Sequence, residues 1–159
     1  MSIFGLSCMS TPPKQTAKEL SIERYAGVWY EIARFPHFFE KNLQFVTATY
    51  TLKKNGKISV TNRGKTPEGK WKEANGRAWM PDAAEPGKLR VQFFWPFSAP
   101  YWVHRLDPEY KHVLVGGPGN DYLWILSREK TMPDAVYNDY VETAKTLGYP
   151  VIKLQRVQQ

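Results

Sequence analysis

Residues 45–62 read FVTATYTLKKNGKISVTN, and this stretch decides the fold. Its two halves alternate apolar and polar residues, which is typical of β-strands with one buried face. Between them lies Asn55-Gly56, the strongest short-range signal for a β-hairpin, because both central residues of a type I′ turn need positive φ. We therefore predict two strands, over residues 45–54 and 57–62, joined by a tight turn.

The same alternation continues on both sides of this hairpin. Strand-like runs, separated by turn residues, cover residues 27–35, 71–80, 88–95, 101–106, 112–115 and 122–128. With the central hairpin they make eight consecutive strands with short connections. Eight antiparallel strands in an up-and-down order lose their exposed edges by closing into a β-barrel, and a barrel of that size holds one small ligand.

A helical pattern occurs only after these strands. Residues 135–147 carry apolar side chains at helical spacing, Pro133 suits the first helical position, and Gly148 ends the pattern. We expect this α-helix to pack against the outside of the barrel, followed by a short final strand over residues 151–154. The chain is thus predicted to be all-β with a single domain over residues 21–159, preceded by a flexible tail or tether over residues 1–20.

The composition excludes several classes of function. The 22 Lys and Arg residues exceed the 15 Asp and Glu residues, but the two signs are interleaved and no nucleic-acid-binding motif accompanies them, so we expect no nucleic-acid partner. Three scattered histidines and one cysteine lack metal-ligand spacing, and we expect neither metal nor cofactor. The sequence also lacks nucleophile-elbow, Walker and dinucleotide-binding motifs, so it indicates no catalytic residues.

Alternation assigns inward faces to several strands. Ala48 and Tyr50 alternate with threonines, and Phe93 follows Gln92, so we expect these apolar side chains inside the barrel. Residues 101–106 mix polar and apolar side chains on both faces, which leaves their inward face open. Large flat side chains suit an apolar ligand pocket, although a filled core is the alternative. The candidate ligand-binding residues are Phe35, Tyr50, Phe93, Trp95, Trp102, His104 and Trp124.

Three motifs carry a resemblance to a known family. Residues 27–31, GVWYE, resemble the G-x-W signature that opens the first strand of lipocalins, and residues 106–116 and 122–128 resemble their second and third conserved regions. The second region departs from the family, since residues 107–110 read DPEY where TDY is usual. Three further stretches resemble in particular the bacterial outer-membrane lipoprotein lipocalin and apolipoprotein D, namely residues 38–41, 46–50 and 93–97.

The resemblance implies a function and a structural signature. Lipocalins of this group carry fatty acids or lysophospholipids at the bacterial cell envelope, in the outer membrane or periplasm, without catalysis. Gly27, Trp29 and Arg128 would be structural, with Arg128 stacked on Trp29 at the closed barrel end. Two alternatives stay open, namely a lipocalin-fold enzyme that acts on a lipid and a membrane-tethered interaction module with a filled barrel.

Three polar side chains are singled out within this lipocalin interpretation. We expect His104 or Tyr50 to meet a ligand carboxylate near the open end of the barrel. Glu31 shares the inward face of its strand with Trp29. A buried carboxylate needs a partner, which the sequence does not identify.

Two features bear on membranes. Residues 1–8 resemble the end of a bacterial lipoprotein signal, so Cys8 is a candidate for lipid modification and membrane anchoring, the alternative being an incidental thiol. Basic residues on predicted hairpin tips either orient the protein on an anionic membrane or are merely solvated: Lys53, Lys54, Lys57, Arg63, Lys65, Lys70 and Lys72. The sequence leaves open the natural ligand and whether the protein forms a homodimer.

Overall fold

The computed structural model describes residues 12–37 and 41–159, so Cys8 and most of the 38–41 motif lie outside the described residues. Its elements are, in chain order, α1 (Ile22–Tyr25), β1 (Gly27–Arg34), β2 (Gln44–Leu52), β3 (Ile58–Lys65), β4 (Trp71–Trp79), β5 (Lys88–Phe94), β6 (Phe97–Leu106), β7 (His112–Gly116), β8 (Trp124–Ser127), α2 (Asp134–Thr146), a 3₁₀ helix (Val151–Lys153) and β9 (Gln155–Arg156).

Strands β1 to β8 form a closed antiparallel barrel. Each strand pairs with the next along the chain, and β1 pairs with both β2 and β8, which closes the sheet. The prediction of an eight-stranded up-and-down barrel is thereby confirmed. Because the strands alternate in direction, the β3–β4, β5–β6 and β7–β8 turns lie at one end of the barrel, which we call the open end. The β2–β3, β4–β5 and β6–β7 turns lie at the closed end.

The central hairpin forms as predicted, but its turn is of a different type. Gly56 has a φ of 78°, while Asn55 is outside the positive-φ region, so the turn is not type I′. The Gly56 N–H donates to Lys53 O at 2.9 Å, and the Asn55 side chain accepts from the Lys57 N–H at 3.0 Å. The turn therefore resembles a type I turn followed by a left-handed glycine, a common alternative for longer hairpin loops.

A β-bulge in β1 reverses the alternation of its side chains. The register with β8 shifts between Glu31 and Ala33. Trp29 and Glu31 point into the barrel, whereas Ala33 and Phe35 pack in the outer core between the barrel and α2. Simple alternation from Trp29 would place Phe35 inside, but the extra residue moves it outside.

A second bulge explains why the faces of residues 101–106 read as mixed. The register between β6 and β7 shifts between Val103 and Arg105. Tyr101 and Val103 lie in the inner core, whereas His104 and Arg105 both contact groups outside the barrel. Strand β6 also begins earlier than predicted, at Phe97, so part of the expected loop is strand.

The helix α2 covers the outer face of β7 and β8. Tyr140 and Ala144 are buried against Leu114 and Ile125, and the Tyr140 hydroxyl donates to His112 O at 3.2 Å. The prediction that this helix packs outside the barrel is confirmed. Such an apolar stripe facing a sheet is what stabilises a helix of this length.

The segment after α2 differs from its prediction in position. Residues Val151–Lys153 form a 3₁₀ helix, so the expected strand over residues 151–154 is wrong. The final strand is instead β9, which pairs with the end of β1 at Ala33 and Arg34. The Lys153 N–H donates to Pro150 O and the Leu154 N–H donates to Val151 O, each at 3.0 Å, so these backbone groups close 3₁₀ turns and do not pair with a neighbouring strand.

The segment before α1 is attached to the barrel wall. The Ala17 N–H donates to Val103 O at 2.8 Å, and Gln15 O lies 2.6 Å from His104 Nδ1. Gly87 permits this approach, because a Cβ there would lie 2.7 Å from Ala17 O. Residues 15–17, predicted to belong to a flexible tail, therefore form part of the folded domain.

Candidate functional site

A cavity lies inside the barrel between the floor of the closed end and the open end. Its volume is about 170 Å³, it is partly open to solvent, and its wall is mainly aliphatic and aromatic. The polar side chains among the described wall residues are Glu31, Asn62, Tyr50, Tyr101 and Tyr122. Apolar walls with a few polar groups are the usual composition of a small-molecule site.

Three buried tyrosines close the lower end of the cavity: Tyr50 and Tyr101 line it, and Tyr25 packs against both of them from outside it. The Tyr50 hydroxyl donates to the Tyr101 hydroxyl at 2.8 Å, and the Tyr101 and Tyr25 hydroxyls share a hydrogen bond of 2.7 Å. Burial raises the pKa of Tyr25 and of Tyr101 well above the ordinary value, and the charge of an ionised Tyr50 would raise each further. At Tyr25 the hydrogen bond with Tyr101 and the charge of Arg128 lower the pKa and offset part of this effect. The Tyr25 and Tyr101 hydroxyls therefore supply polar groups without charge near neutral pH.

A tryptophan and an arginine close the barrel below this floor. Trp29 is completely buried, and its indole Nε1 donates to Tyr25 O at 2.8 Å. The Arg128 guanidinium lies 3.9 Å from the centroid of the Trp29 ring, in the arrangement that the resemblance implies. Gly27 has a φ of 103°, and a Cβ there would lie 3.1 Å from Arg128 Nη1. Arg128 also donates to four carbonyl oxygens, those of Arg24, Tyr25, Val28 and Tyr110.

A buried ion pair lies at the cavity wall. Arg34 Nη1 donates to Glu31 Oε1 at 2.9 Å, and each side chain is 5 % exposed. Arg34 also donates to Leu43 O at 2.8 Å. The β1 bulge makes the pair possible, because it turns Arg34 to the same side as Glu31. Arg34 is thus a partner for Glu31 that the sequence did not identify.

The structure brings together three of the predicted ligand-binding residues. Tyr50, Phe93 and Trp124 all line the cavity, and the Trp124 ring stacks on Tyr122 with 5.9 Å between centroids. Tyr101 was not among the predicted cavity residues, because apolar and polar residues occur on both faces of its strand. A bulge cannot be located from a single sequence, but the apolar residues on both faces of residues 101–106 were a signal that alternation breaks there.

Four predicted residues lie away from the cavity. Phe35 packs outside the barrel with its ring centroid 6.1 Å from that of Tyr149. Trp102 lies on the outer surface, where Lys88 Nζ is 4.7 Å from its ring centroid. Trp95 follows the end of β5 and is 83 % exposed. His104 lies on the outer face of β6 with Trp102, because both alternate with the inward residues Tyr101 and Val103. The expectation that it meets a ligand carboxylate therefore does not fit its position.

His104 instead connects three segments outside the barrel. Its Nδ1 lies 2.6 Å from Gln15 O, and its Nε2 lies 2.7 Å from the Tyr149 hydroxyl. That hydroxyl also hydrogen-bonds to the backbone of Gly117. Because a carbonyl oxygen only accepts, Nδ1 carries the proton of the neutral ring. The histidine therefore holds the N-terminal segment against the region after α2.

The environment of His104 makes stability depend on pH. Burial lowers the pKa of this imidazole below 6.5, against an opposing effect of its hydrogen bond to Gln15, and Lys14 lowers it further. Below about pH 6.5 the unfolded chain therefore binds a proton more readily than the folded one, and stability falls as the pH falls.

We expect the free energy of unfolding to decrease less between pH 7.5 and pH 5.5 in His104→Gln than in the wild type, by linkage at this single site. Urea denaturation at both pH values measures the difference. Equal pH dependence in the two proteins would contradict the prediction. Each value is referenced to the same protein at the higher pH, so a general loss of stability in the variant cancels.

Neither a metal site nor a membrane-spanning helix occurs within the described ranges. In residues 12–37 and 41–159, no three His, Cys, Asp or Glu side chains are grouped so as to hold a metal ion. No helix in that part of the chain is both long enough and apolar enough to cross a bilayer.

The sequence is similar to known lipocalins. The family model for a lipocalin-like domain matches residues 20–159. The outer membrane lipoprotein Blc of Escherichia coli K12 is 44% identical over 158 residues, covering 97% of this chain and 89% of that protein. Temperature-induced lipocalin-1 of Arabidopsis thaliana is 41% identical, covering 91% and 82%. Apolipoprotein D of Macaca fascicularis is 38% identical, covering 82% and 71%.

Solved structures share the fold. Insecticyanin from the tobacco hornworm Manduca sexta superposes with a TM-score of 0.76 at 22% identity, covering 94% of this chain and 86% of that chain. The cockroach allergen Per a 4 superposes with a TM-score of 0.72 at 21% identity, covering 94% of each chain. At such identities the likeness concerns the fold alone. The match of the family model to residues 20–159, together with the relatives that are 38–44% identical, shows that the chain belongs to the lipocalin family.

Proposed function

We propose that this protein binds and carries a hydrophobic molecule with one long alkyl chain, such as a fatty acid or a lysophospholipid. The observation that supports this most directly is the cavity, which has an apolar wall, a floor closed by tyrosines and an opening at the other end. Each methylene moved from water into such a site contributes about 0.8 kcal/mol. An alkyl chain therefore gains micromolar affinity without specific polar contacts.

The size of the cavity favours a ligand with a head group. At about 170 Å³ it is smaller than the roughly 300–1,000 Å³ typical of sites that enclose a drug-sized molecule. A single alkyl chain fills it, and the rest of a long ligand extends past the open end. A polar head group then stays at the surface, where it remains hydrated and no desolvation penalty opposes binding.

The relatives support a location at the bacterial outer membrane, because several of them are named outer membrane lipoproteins. Cys8 remains our candidate for the lipid-modified anchor residue. Mass spectrometry of the protein from bacterial membranes would identify a lipid on this cysteine. In this proposal the anchor keeps the carrier beside the lipids that supply its ligands.

The chemistry of the cavity wall supports binding over catalysis. Among the described wall residues, the one carboxylate is that of Glu31, and it is paired with Arg34. The described wall contains neither cysteine nor serine, and burial raises the pKa of the Tyr25 and Tyr101 hydroxyls, which favours their neutral form. A mainly apolar cavity whose one wall carboxylate is neutralised by a buried arginine suits reversible storage of a lipid.

Titration of delipidated protein with a fluorescent long-chain fatty acid tests the proposal. We expect saturable binding of one molecule per chain, with a Kd of about 1 μM or lower, and quenching of tryptophan fluorescence. Mass spectrometry of the mixture checks that the fatty acid is unchanged. Absence of saturable binding would favour an interaction module with a filled barrel, and a converted fatty acid would favour an enzyme. Either result would overturn the proposal.

A further inference from the structure

We propose that the open end of the barrel docks on the surface of an anionic phospholipid bilayer, with the β5–β6 turn inserted into the interface. This contact is separate from any lipid anchor and goes beyond the binding of a ligand inside the barrel. It rests on the proposed function only in so far as the cavity is taken to receive a lipid. The partner is a membrane surface rather than another protein.

The first support is the exposure of three large aromatic residues in one turn. Phe94, Trp95 and Phe97 are 76 %, 83 % and 76 % exposed, and we call them the aromatic tip. Phe94 and Phe97 are paired across the ends of β5 and β6. Neighbouring aromatic residues that remain in water mark a surface that binds a partner. Tryptophan in particular prefers the interface of a bilayer.

The position of the aromatic tip connects it to the cavity. Phe93 precedes the tip and Ala99 follows it, and both of these residues line the cavity. The tip is therefore part of the rim through which a ligand enters. A lipid that leaves a bilayer at this rim reaches the apolar wall without exposing its alkyl chain to water.

A second turn at the same end supplies positive charge. In the β3–β4 turn and its flanks, Trp71 is 49 % exposed, and the Arg63 guanidinium lies 4.2 Å from the Trp71 ring centroid. Basic residues beside an exposed aromatic ring are typical of surfaces that bind anionic lipids. Over residues 63–73 the basic side chains Arg63, Lys65, Lys70 and Lys72 outnumber the acidic side chains Glu68 and Glu73.

The path of the N-terminal segment points to the same end. Lys14 Nζ donates to Pro118 O at 2.8 Å and to Gly119 O at 3.0 Å, and both carbonyls belong to the β7–β8 turn at the open end. From Ala17 towards Lys14 the chain thus runs to the open end of the barrel. A membrane anchor upstream of Lys14 would hold this end, rather than the closed end, towards the bilayer.

The closed end provides a matched control. Its β2–β3 turn carries Lys53, Lys54 and Lys57, all exposed, but no aromatic residue. If charge alone directed binding, the two ends would be equivalent. If the aromatic tip directs it, only substitutions at the open end should matter.

Vesicle co-sedimentation of the non-lipidated full chain, carrying Cys8→Ser, tests the inference. We expect binding to phosphatidylcholine vesicles that contain phosphatidylglycerol, and at least about tenfold weaker binding of the variant Phe94→Ser/Trp95→Ser/Phe97→Ser. Lys70→Glu/Lys72→Glu should weaken binding to the anionic vesicles, whereas Lys53→Glu/Lys54→Glu at the closed end should leave it unchanged.

Two further measurements separate the alternatives. The triple variant should still bind one fatty acid per chain, so that loss of membrane docking is distinguishable from failure of the proposed function. Light scattering reports whether the aromatic tip instead joins two copies of the chain. The proposal is overturned if the parent protein does not bind the anionic vesicles, or if the triple variant binds them equally well. It is also overturned if the substitutions only dissociate a dimer.

Discussion

Replacement of Trp29 by alanine is expected to lower the free energy of unfolding by about 3–5 kcal/mol. The indole is completely buried at the closed end of the barrel and donates a hydrogen bond to Tyr25 O. Its removal leaves a cavity under the tyrosine floor and takes away the ring on which the Arg128 guanidinium lies. The loss is large because the site combines a large apolar volume with two polar contacts.

Urea denaturation followed by circular dichroism measures this change, provided that the slope of the unfolding curve is unaltered. Trp71→Ala is the matched control, since that tryptophan is 49 % exposed and its loss should cost at most about 1 kcal/mol. Similar losses for the two variants would show that Trp29 does not close the barrel in the way described.

Replacement of Ala48 by phenylalanine is expected to weaken fatty-acid binding by roughly 60-fold. Ala48 lines the cavity, and a benzyl group there displaces about three methylenes of the ligand, each worth about 0.8 kcal/mol. The cavity has room for the new ring, so we expect the variant to fold. Equilibrium titration with the same fluorescent fatty acid measures the change in Kd.

Thr51→Phe is the control for this substitution. Thr51 lies in the same strand but is exposed, so the added ring should leave the Kd unchanged. Thermal unfolding of both variants shows whether each retains the fold. Wild-type affinity in Ala48→Phe would mean that the ligand binds outside the barrel.

The barrel could be predicted from sequence because its signals are local. Alternation in residues 45–62 and turn residues between the later runs identify eight strands without any knowledge of long-range contacts. Tyr50 and Phe93 were placed in the cavity for the same reason, since alternation is regular over residues 48–52 and 89–93, which surround them. The resemblance to lipocalins added the contact between Arg128 and Trp29.

Two physical causes account for most of the remaining errors. A bulge inserts one residue and exchanges the faces of everything after it. The bulge in β1 misplaced Phe35, and the bulge in β6 hid which face of that strand is inward, so the outward residues Trp102 and His104 were selected. The second cause is that the partners of polar groups depend on tertiary register. The hydroxyls of Tyr25 and Tyr101 meet across 76 positions of sequence, and no local pattern reports such a contact. The prediction that Trp95 lines the cavity was wrong for a simpler reason, because β5 ends at Phe94, one residue before it.

The closed floor has a consequence for ligand exchange. Trp29 and Arg128 lie below the three tyrosines and block the closed end. A ligand that leaves the cavity and a ligand that enters it must therefore both pass through the open end. A second ligand therefore cannot displace the bound one from the closed end, and the cavity must empty before it binds another molecule. The dissociation rate of a bound ligand should then be independent of the concentration of free ligand. Ligand exchange would be limited by dissociation and not accelerated by a competing ligand.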